Sequence, residues 1–131
     1  MKELNSLVVA ENPFVQKLIV NVLKNYGRCD AVSNGMEGLE YIKKSISKHK
    51  FYDLFCLDIE MPKLNGLKLL ETIRMLEQKL ETKKKCIIIM VTSHGEKEMI
   101  KKCCQLGCDS FLLKPIYKNN LIKVLQRHKL I

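Results

Sequence analysis

The chain has 131 residues, 47% of them hydrophobic, and a formal net charge of +9. That length suits one domain, expected over 1–131, with a sizeable core, while no apolar stretch approaches the roughly 18 residues that cross a bilayer. The six cysteines include no CxxC pair, His49, His94 and His128 are scattered, and the start Met1-Lys2-Glu3-Leu4-Asn5 has no secretory h-region, so a disulfide scaffold, a His/Cys metal cluster and a secreted protein are set aside in favour of a cytoplasmic one with reduced, buried thiols.

Leu7-Val8-Val9-Ala10 reads as a short apolar strand. Glu11 or Asn12 opens a helix with Pro13 in its first turn, where a missing N–H costs little. Phe14, Leu18, Ile19, Val22 and Leu23 give that helix an apolar stripe, and Gly27 ends it. Residues 29–32 suggest a second strand, and Asn34 precedes a helix carrying Met36, Leu39, Ile42 and Ile46. The run 52–58, Tyr52-Asp53-Leu54-Phe55-Cys56-Leu57-Asp58, reads as a fully buried strand, too short for a helix. Pro62, Asn65 and Gly66 then break the chain. Residues 65–80 predict a helix with Leu67, Leu70, Ile73 and Leu76 inward. A buried strand over 86–91, a helix over 96–106 closed by Gly107, a strand over 110–113 and a helix over 118–129 complete the chain.

Strand and helix thus alternate five times, and the strands are almost uniformly apolar. Both facts predict an α/β fold, a parallel sheet covered by helices on both faces. Right-handed crossovers bring every strand's C-terminal end to one edge, where open sheets keep their ligand sites. Ala10, Glu11, Asp58, Thr92 and Lys114 all lie at such ends. They are dispersed in sequence and expected to converge in space.

Taken together, the segments Leu7-Val8-Val9-Ala10-Glu11-Asn12, Leu57-Asp58-Ile59-Glu60-Met61-Pro62-Lys63-Leu64-Asn65-Gly66, Met90-Val91-Thr92-Ser93 and Phe111-Leu112-Leu113-Lys114-Pro115 resemble the receiver domain of two-component response regulators, the single-domain chemotaxis type included. The resemblance covers nearly the whole chain. It implies a doubly wound, flavodoxin-like (βα)5 fold with strand order 2-1-3-4-5. Asp58 would be the phosphoacceptor, charged by a sensor histidine kinase or a histidine phosphotransfer protein. Glu11, Asp58 and the Glu60 backbone carbonyl would hold Mg2+, and Lys114 and Thr92 would bind phosphoryl oxygens. Lys114–Pro115 would be a cis peptide. Thr92 and Phe111 would form the switch, altering the face made by the fourth helix, fifth strand and fifth helix. Such a protein is a phosphorylation-dependent switch and not an enzyme, assisting only its own phosphorylation and dephosphorylation.

The chain departs from the family pattern at Ala10, where receivers carry the first of two adjacent acids. Losing an outer anchor of a metal site costs roughly 10- to 100-fold in affinity or activity, so weaker Mg2+ binding and slower phosphorylation are expected. With one acid fewer and Lys114 nearby, Asp58 is expected to be ionised. The alternative is a degenerate pseudo-receiver, an interaction module that works without phosphorylation. A flavodoxin-like cofactor binder fits poorly, because Ala10-Glu11-Asn12-Pro13 is acidic and lacks a Ser/Thr/Gly phosphate cradle. Glu60, Ser93 and His94 would flank the route of attacking water.

The lysine runs at 43–44, 83–85 and 101–102 lack interleaved aromatics and a DNA-reading motif, so they are expected on solvated surfaces without specific nucleic-acid binding. From Gly95 to Ile131 eight Lys/Arg oppose Glu96, Glu98 and Asp109, a net +5. That face reads first as a simple solvated surface, and it also suits an acidic downstream partner, of identity unknown from sequence, or a homodimer patterned with salt bridges.

Overall fold

In the computed structural model, which describes residues 3–61, 64–82 and 84–131, ten elements alternate along the chain. They are β1 (Leu4–Val9), α1 (Pro13–Leu23), β2 (Gly27–Val32), α2 (Gly35–Ser47), β3 (Leu54–Asp58), α3 (Gly66–Leu80), β4 (Ile87–Thr92), α4 (Lys97–Leu106), β5 (Ser110–Leu113) and α5 (Lys118–Arg127). Pro62 and Lys63 of the loop after Asp58, Lys83 of the lysine run and the initial Met1-Lys2 lie outside the described residues. All strand pairs are parallel, and the sheet order is β2-β1-β3-β4-β5, the doubly wound order expected.

Side chains alternate across a strand, so each central strand feeds two cores. Leu7, Val9, Phe55, Leu57, Ile88 and Met90 pack on one face with Ile42, Leu69, Leu70, Ile73 and Cys103 of α2, α3 and α4. Val8, Leu54, Cys56, Ile89 and Val91 pack on the other with Ile19, Leu23, Leu121 and Leu125 of α1 and α5. Three helices start alike, on an asparagine. Asn12 Oδ1 accepts from the N–H of Phe14 and Val15, Asn34 Oδ1 from Glu37, and Asn65 Oδ1 from Lys68. Each satisfies donors that the first turn leaves orphaned.

Several expectations shift by a turn or less. β1 begins at Leu4, and its polar Ser6 is fully buried, its hydroxyl donating to the Arg28 carbonyl at 3.2 Å. α1 ends at Leu23 rather than Gly27, which opens β2 at φ +151°, where a Cβ would lie 2.1 Å from the Leu4 carbonyl oxygen. Tyr52, Asp53 and Cys86 precede their strands, and α5 stops at Arg127. Phe14 and Met36 are 83% and 51% exposed rather than inward, because both belong to first turns of helices that begin at the sheet's C-terminal edge, beyond the strands. Leu69, not assigned to the core, is fully buried, and Leu67 and Leu76 only partly so. The cysteines are free, as expected, but Cys104 is exposed. Lys43, Lys44, Lys84, Lys85, Lys101 and Lys102 are exposed, in line with solvated lysines.

Arg74 of α3 joins the helix to the sheet in a way the hydrophobic pattern does not announce. Its guanidinium donates to the carbonyls of Gly107 and Cys86 at 2.9 Å each and to Glu77 Oε1 and Asp109 Oδ2 at 2.6 Å. Glu77 and Asp109 in turn accept from the backbone N–H of Cys86 and Ile88. Gly107, at φ +104°, caps α4 within reach of the same side chain. Arg74→Ala should therefore lower stability by about 2–4 kcal/mol, since it strands two carboxylates and two carbonyls. Urea unfolding followed by circular dichroism checks this, and a loss within the roughly 0.5 kcal/mol typical of surface sites would contradict it.

Candidate functional site

β3 ends on Asp58, β4 on Thr92 and β5 just before Lys114. The strands are in adjacent register, Asp58 beside Val91 and Thr92 beside Leu113, so these three residues meet at one edge. Asp58 is 1% exposed and Thr92 fully buried. Lys114 Nζ donates to both Asp58 oxygens, at 3.0 and 2.9 Å, and the Glu60 N–H donates to Oδ1 at 3.0 Å. The Lys114 N–H donates to the Thr92 carbonyl at 2.8 Å, and the Lys114–Pro115 peptide that follows is cis. Gly66 opens α3 directly against this strand end. A Cβ there would sit 2.3 Å from the Asp58 carbonyl oxygen, so only glycine lets the helix come this close.

Sequence reasoning gave Glu60 a backbone carbonyl and a place beside the water route, and missed what its side chain does. Glu60 Oε1 accepts from Thr92 Oγ1 at 2.6 Å and from the Ser93 N–H and hydroxyl at 2.8 Å each. Its Oε2 lies 3.5 Å from Lys114 Nζ. The signal was present in the sequence, an acid two residues beyond Asp58, but its partners come from β4 and β5. Burial opposes ionisation of Glu60, yet the donors from Thr92 and Ser93 outweigh it and hold the carboxyl well below the usual range. Asp58 goes the other way. Burial pushes it up to about 6, the Lys114 hydrogen bond pulls it down, and the Glu60 side chain adds to the rise. Burial thus outweighs Lys114, and the net shift of Asp58 is upward.

Val9 pairs with Leu57, so Ala10 and Glu11 leave β1 beside Asp58. Ala10 is 1% exposed, and its carbonyl accepts from Gln16 Nε2 at 3.1 Å. Glu11 is exposed and makes no hydrogen bond or ion pair among the described residues. His94 Nε2 reaches Glu60 Oε1 only at 3.8 Å, with its side chain 56% exposed and Glu96 as near. Phe111 is partly buried against the α3–α4 side of the core. It borders an open groove with Tyr117 and Lys123.

Among the described residues no three His, Cys, Asp or Glu side chains converge as a metal cage would need. The carboxylates of Asp58 and Glu60 lie at this edge, both within reach of Lys114 Nζ, and Glu11 follows the end of the neighbouring strand β1.

The family model "Response regulator receiver domain" matches residues 7–126. The chain is 32% identical over 131 residues to a probable C4-dicarboxylate response regulator of Bacillus subtilis, covering 98% of this chain and 53% of that one. It is 31% identical over 121 residues to a chemotaxis protein CheY of Treponema pallidum, covering 92% and 77%. It thus spans about half the length of the first of these relatives. Among solved structures, the receiver domain of the histidine kinase CKI1 from Arabidopsis thaliana, complexed with Mg2+ and BeF3−, superposes with a TM-score of 0.82 at 25% identity, over 96% of this chain and 89% of that one.

The balance at Asp58 sets a pH dependence. Its folded value of about 6 exceeds the ordinary 3.8, so the folded state holds the proton longer than the unfolded chain. Ionisation therefore removes stability as pH rises from 3.8 through about 6. The Asp58 carboxyl carbon should titrate in NMR with a midpoint near 6, and Lys114→Met should raise that midpoint. A wild-type midpoint at 3.8 would contradict the balance described.

Proposed function

The chain belongs to the response regulator receiver family, and we propose that residues 1–131 form a single receiver domain that takes a phosphoryl group on Asp58 and changes its α4–β5–α5 face in response. The observation that carries the reading is the buried Asp58 carboxylate held by Lys114 at 2.9 Å, with the Thr92 hydroxyl on the adjoining strand end.

An Asp58 oxygen attacks the phosphorus of a phosphohistidine or a small phosphodonor. The O–P bond forms as the P–N bond, or the donor's P–O bond, breaks and the leaving group departs. Phosphoryl transfer asks for positioning and charge neutralisation more than for covalent help. Lys114 supplies a compact positive charge to a phosphoryl oxygen, and Thr92 a hydroxyl donor to another. Bound Mg2+, held by Glu11, Asp58 and the Glu60 carbonyl, would supply further neutralisation. Support comes from the CKI1 receiver, which is solved with Mg2+ and BeF3−. Ala10 leaves that site one acid short, so its affinity for Mg2+ is reduced. Transfer and hydrolysis are steps of the switch, and no further substrate is turned over.

The phosphodonor is a sensor histidine kinase or a histidine phosphotransfer protein, since the receiver it resembles belongs to a histidine kinase. Phosphorylation adds roughly 1.5 to 2 negative charges and strong acceptor oxygens. Thr92 then moves toward them, Phe111 turns further inward, and the basic surface of α4, β5 and α5 meets an acidic downstream protein or a second copy. No helix among the described residues is long and apolar enough to cross a membrane, in keeping with a cytoplasmic site of action. A pseudo-receiver is the second reading, favoured by the buried Ala10 methyl.

Incubation with acetyl phosphate and Mg2+ should add one phosphoryl mass to the intact protein. The adduct should be absent in Asp58→Asn and reduced in EDTA. A folded protein that takes up no phosphoryl from acetyl phosphate or from a histidine phosphotransfer protein would decide for the pseudo-receiver. Uptake as fast in EDTA as in Mg2+ would show that Lys114 suffices without a cation.

A further inference from the structure

The Glu60 carboxylate gathers donors that the phosphorylated state needs elsewhere. One oxygen accepts the Thr92 hydroxyl at 2.6 Å together with the Ser93 N–H and hydroxyl at 2.8 Å. The other lies 3.5 Å from Lys114 Nζ. We infer that Glu60 is a built-in counter-ligand, a positioning residue that holds Thr92, Ser93 and Lys114 in the resting state and that an incoming phosphoryl group must displace. The inference rests on the receiver reading above, because Thr92 and Lys114 are the groups given there to phosphoryl oxygens.

A threonine hydroxyl has a single proton to donate. While Thr92 gives it to Glu60, it cannot give it to a phosphoryl oxygen. The two acceptors are both anionic and compete for the same donors, so charge repulsion drives them apart as well. Glu60 has somewhere to go, since its side chain is 30% exposed, whereas Asp58 is 1% exposed and fixed at the strand end. The carboxylate also governs more than one residue. Thr92 Oγ1 accepts from the His94 N–H at 3.0 Å while donating to Glu60. Ser93 is held through both its backbone and its side chain. Releasing one carboxylate therefore frees the segment Thr92-Ser93-His94 as a unit, and that segment leads into α4. The resting position of the loop is set by an acid of the β3–α3 loop, and the phosphoryl group wins it by substitution.

The test uses Glu60→Gln, Thr92→Val and the double variant, with beryllofluoride plus Mg2+ as phosphoryl analogue and amide NMR as a second readout. Both single variants keep side-chain shape, and Glu60→Gln keeps the backbone carbonyl. In Glu60→Gln the Ser93 amide resonance should move without any ligand, because its acceptor loses its charge. Beryllofluoride should bind Glu60→Gln roughly 3- to 10-fold more tightly than wild type, the scale of a partly exposed charge-assisted hydrogen bond. That gain should shrink in the Thr92→Val background, where there is no hydroxyl to release. Equal or weaker binding by Glu60→Gln, or an unmoved Ser93 amide, would overturn the inference. A gain of the same size in both backgrounds would also overturn it, because Glu60 would then act only as a diffuse charge. No beryllofluoride or phosphoryl uptake by any variant would overturn the receiver reading and the displacement with it. The Ser93 amide, which needs no ligand, would still tell that failure from one in which Glu60 never held the segment.

Discussion

A buried carboxylate at the end of a central strand is the constraint on which the rest of this molecule turns. An ion with 1% exposure is costly unless it is paired and hydrogen-bonded. Asp58 meets that cost with one ammonium and one backbone N–H. The ammonium comes from Lys114, two strands away in the sheet order. The pairing therefore exists only if β3, β4 and β5 keep their register, and the Lys114 N–H to Thr92 carbonyl bond holds the last of them in place. Gly66 and the Asn65 cap bring α3 in behind, and Arg74 then ties α3 to the β4 and β5 ends opposite the site. The packed sheet and its polar edge are thus mutually dependent, since each fixes the geometry of the other.

The fold was legible because its signals are local or periodic. Apolar runs at strand length, helical stripes between them and asparagines at the caps are each readable without knowing the partner. Leu54–Asp58 and the cap at Asn65 show this most clearly. Errors fell where periodicity gives no phase at an element's first turn, as with Phe14 and Met36, or where glycine marks a strand start instead of a helix end, as with Gly27. The convergence of Asp58, Thr92 and Lys114 was also legible, because parallel topology alone sends strand C-termini to one edge. The Glu60 contacts and the Arg74 network were not. Their partners come from separate elements 12 to 54 residues away, apart from the helical neighbour Glu77. Hydropathy carries no information about which donor a carboxylate finds.

Charge placement around the site bears on the alanine at position 10. A second buried carboxylate beside Asp58 would raise its pKa further, as like charges do. Burial and Glu60 already push it up to about 6. With a methyl at Ala10, no further carboxylate adds to that rise, and the Lys114 ammonium pulls against it. Glu60 adds to that rise, and its own charge is met by the Thr92 and Ser93 donors, with the side chain 30% exposed. Two carboxylates share one ammonium in the resting site, and neutral donors from Thr92, Ser93 and the Glu60 N–H hold the rest. On the proposed reading a phosphoryl group adds further negative charge, and the donors able to meet it are the ones Glu60 already holds. On the proposed reading, sensitivity of the switch depends on the difference between two acceptors for Thr92 and Lys114, one built into the loop and one delivered from outside. If Glu60 is the counter-ligand inferred above, a change at position 60 alters that difference without touching Asp58, so the resting strength of the switch varies independently of its chemistry.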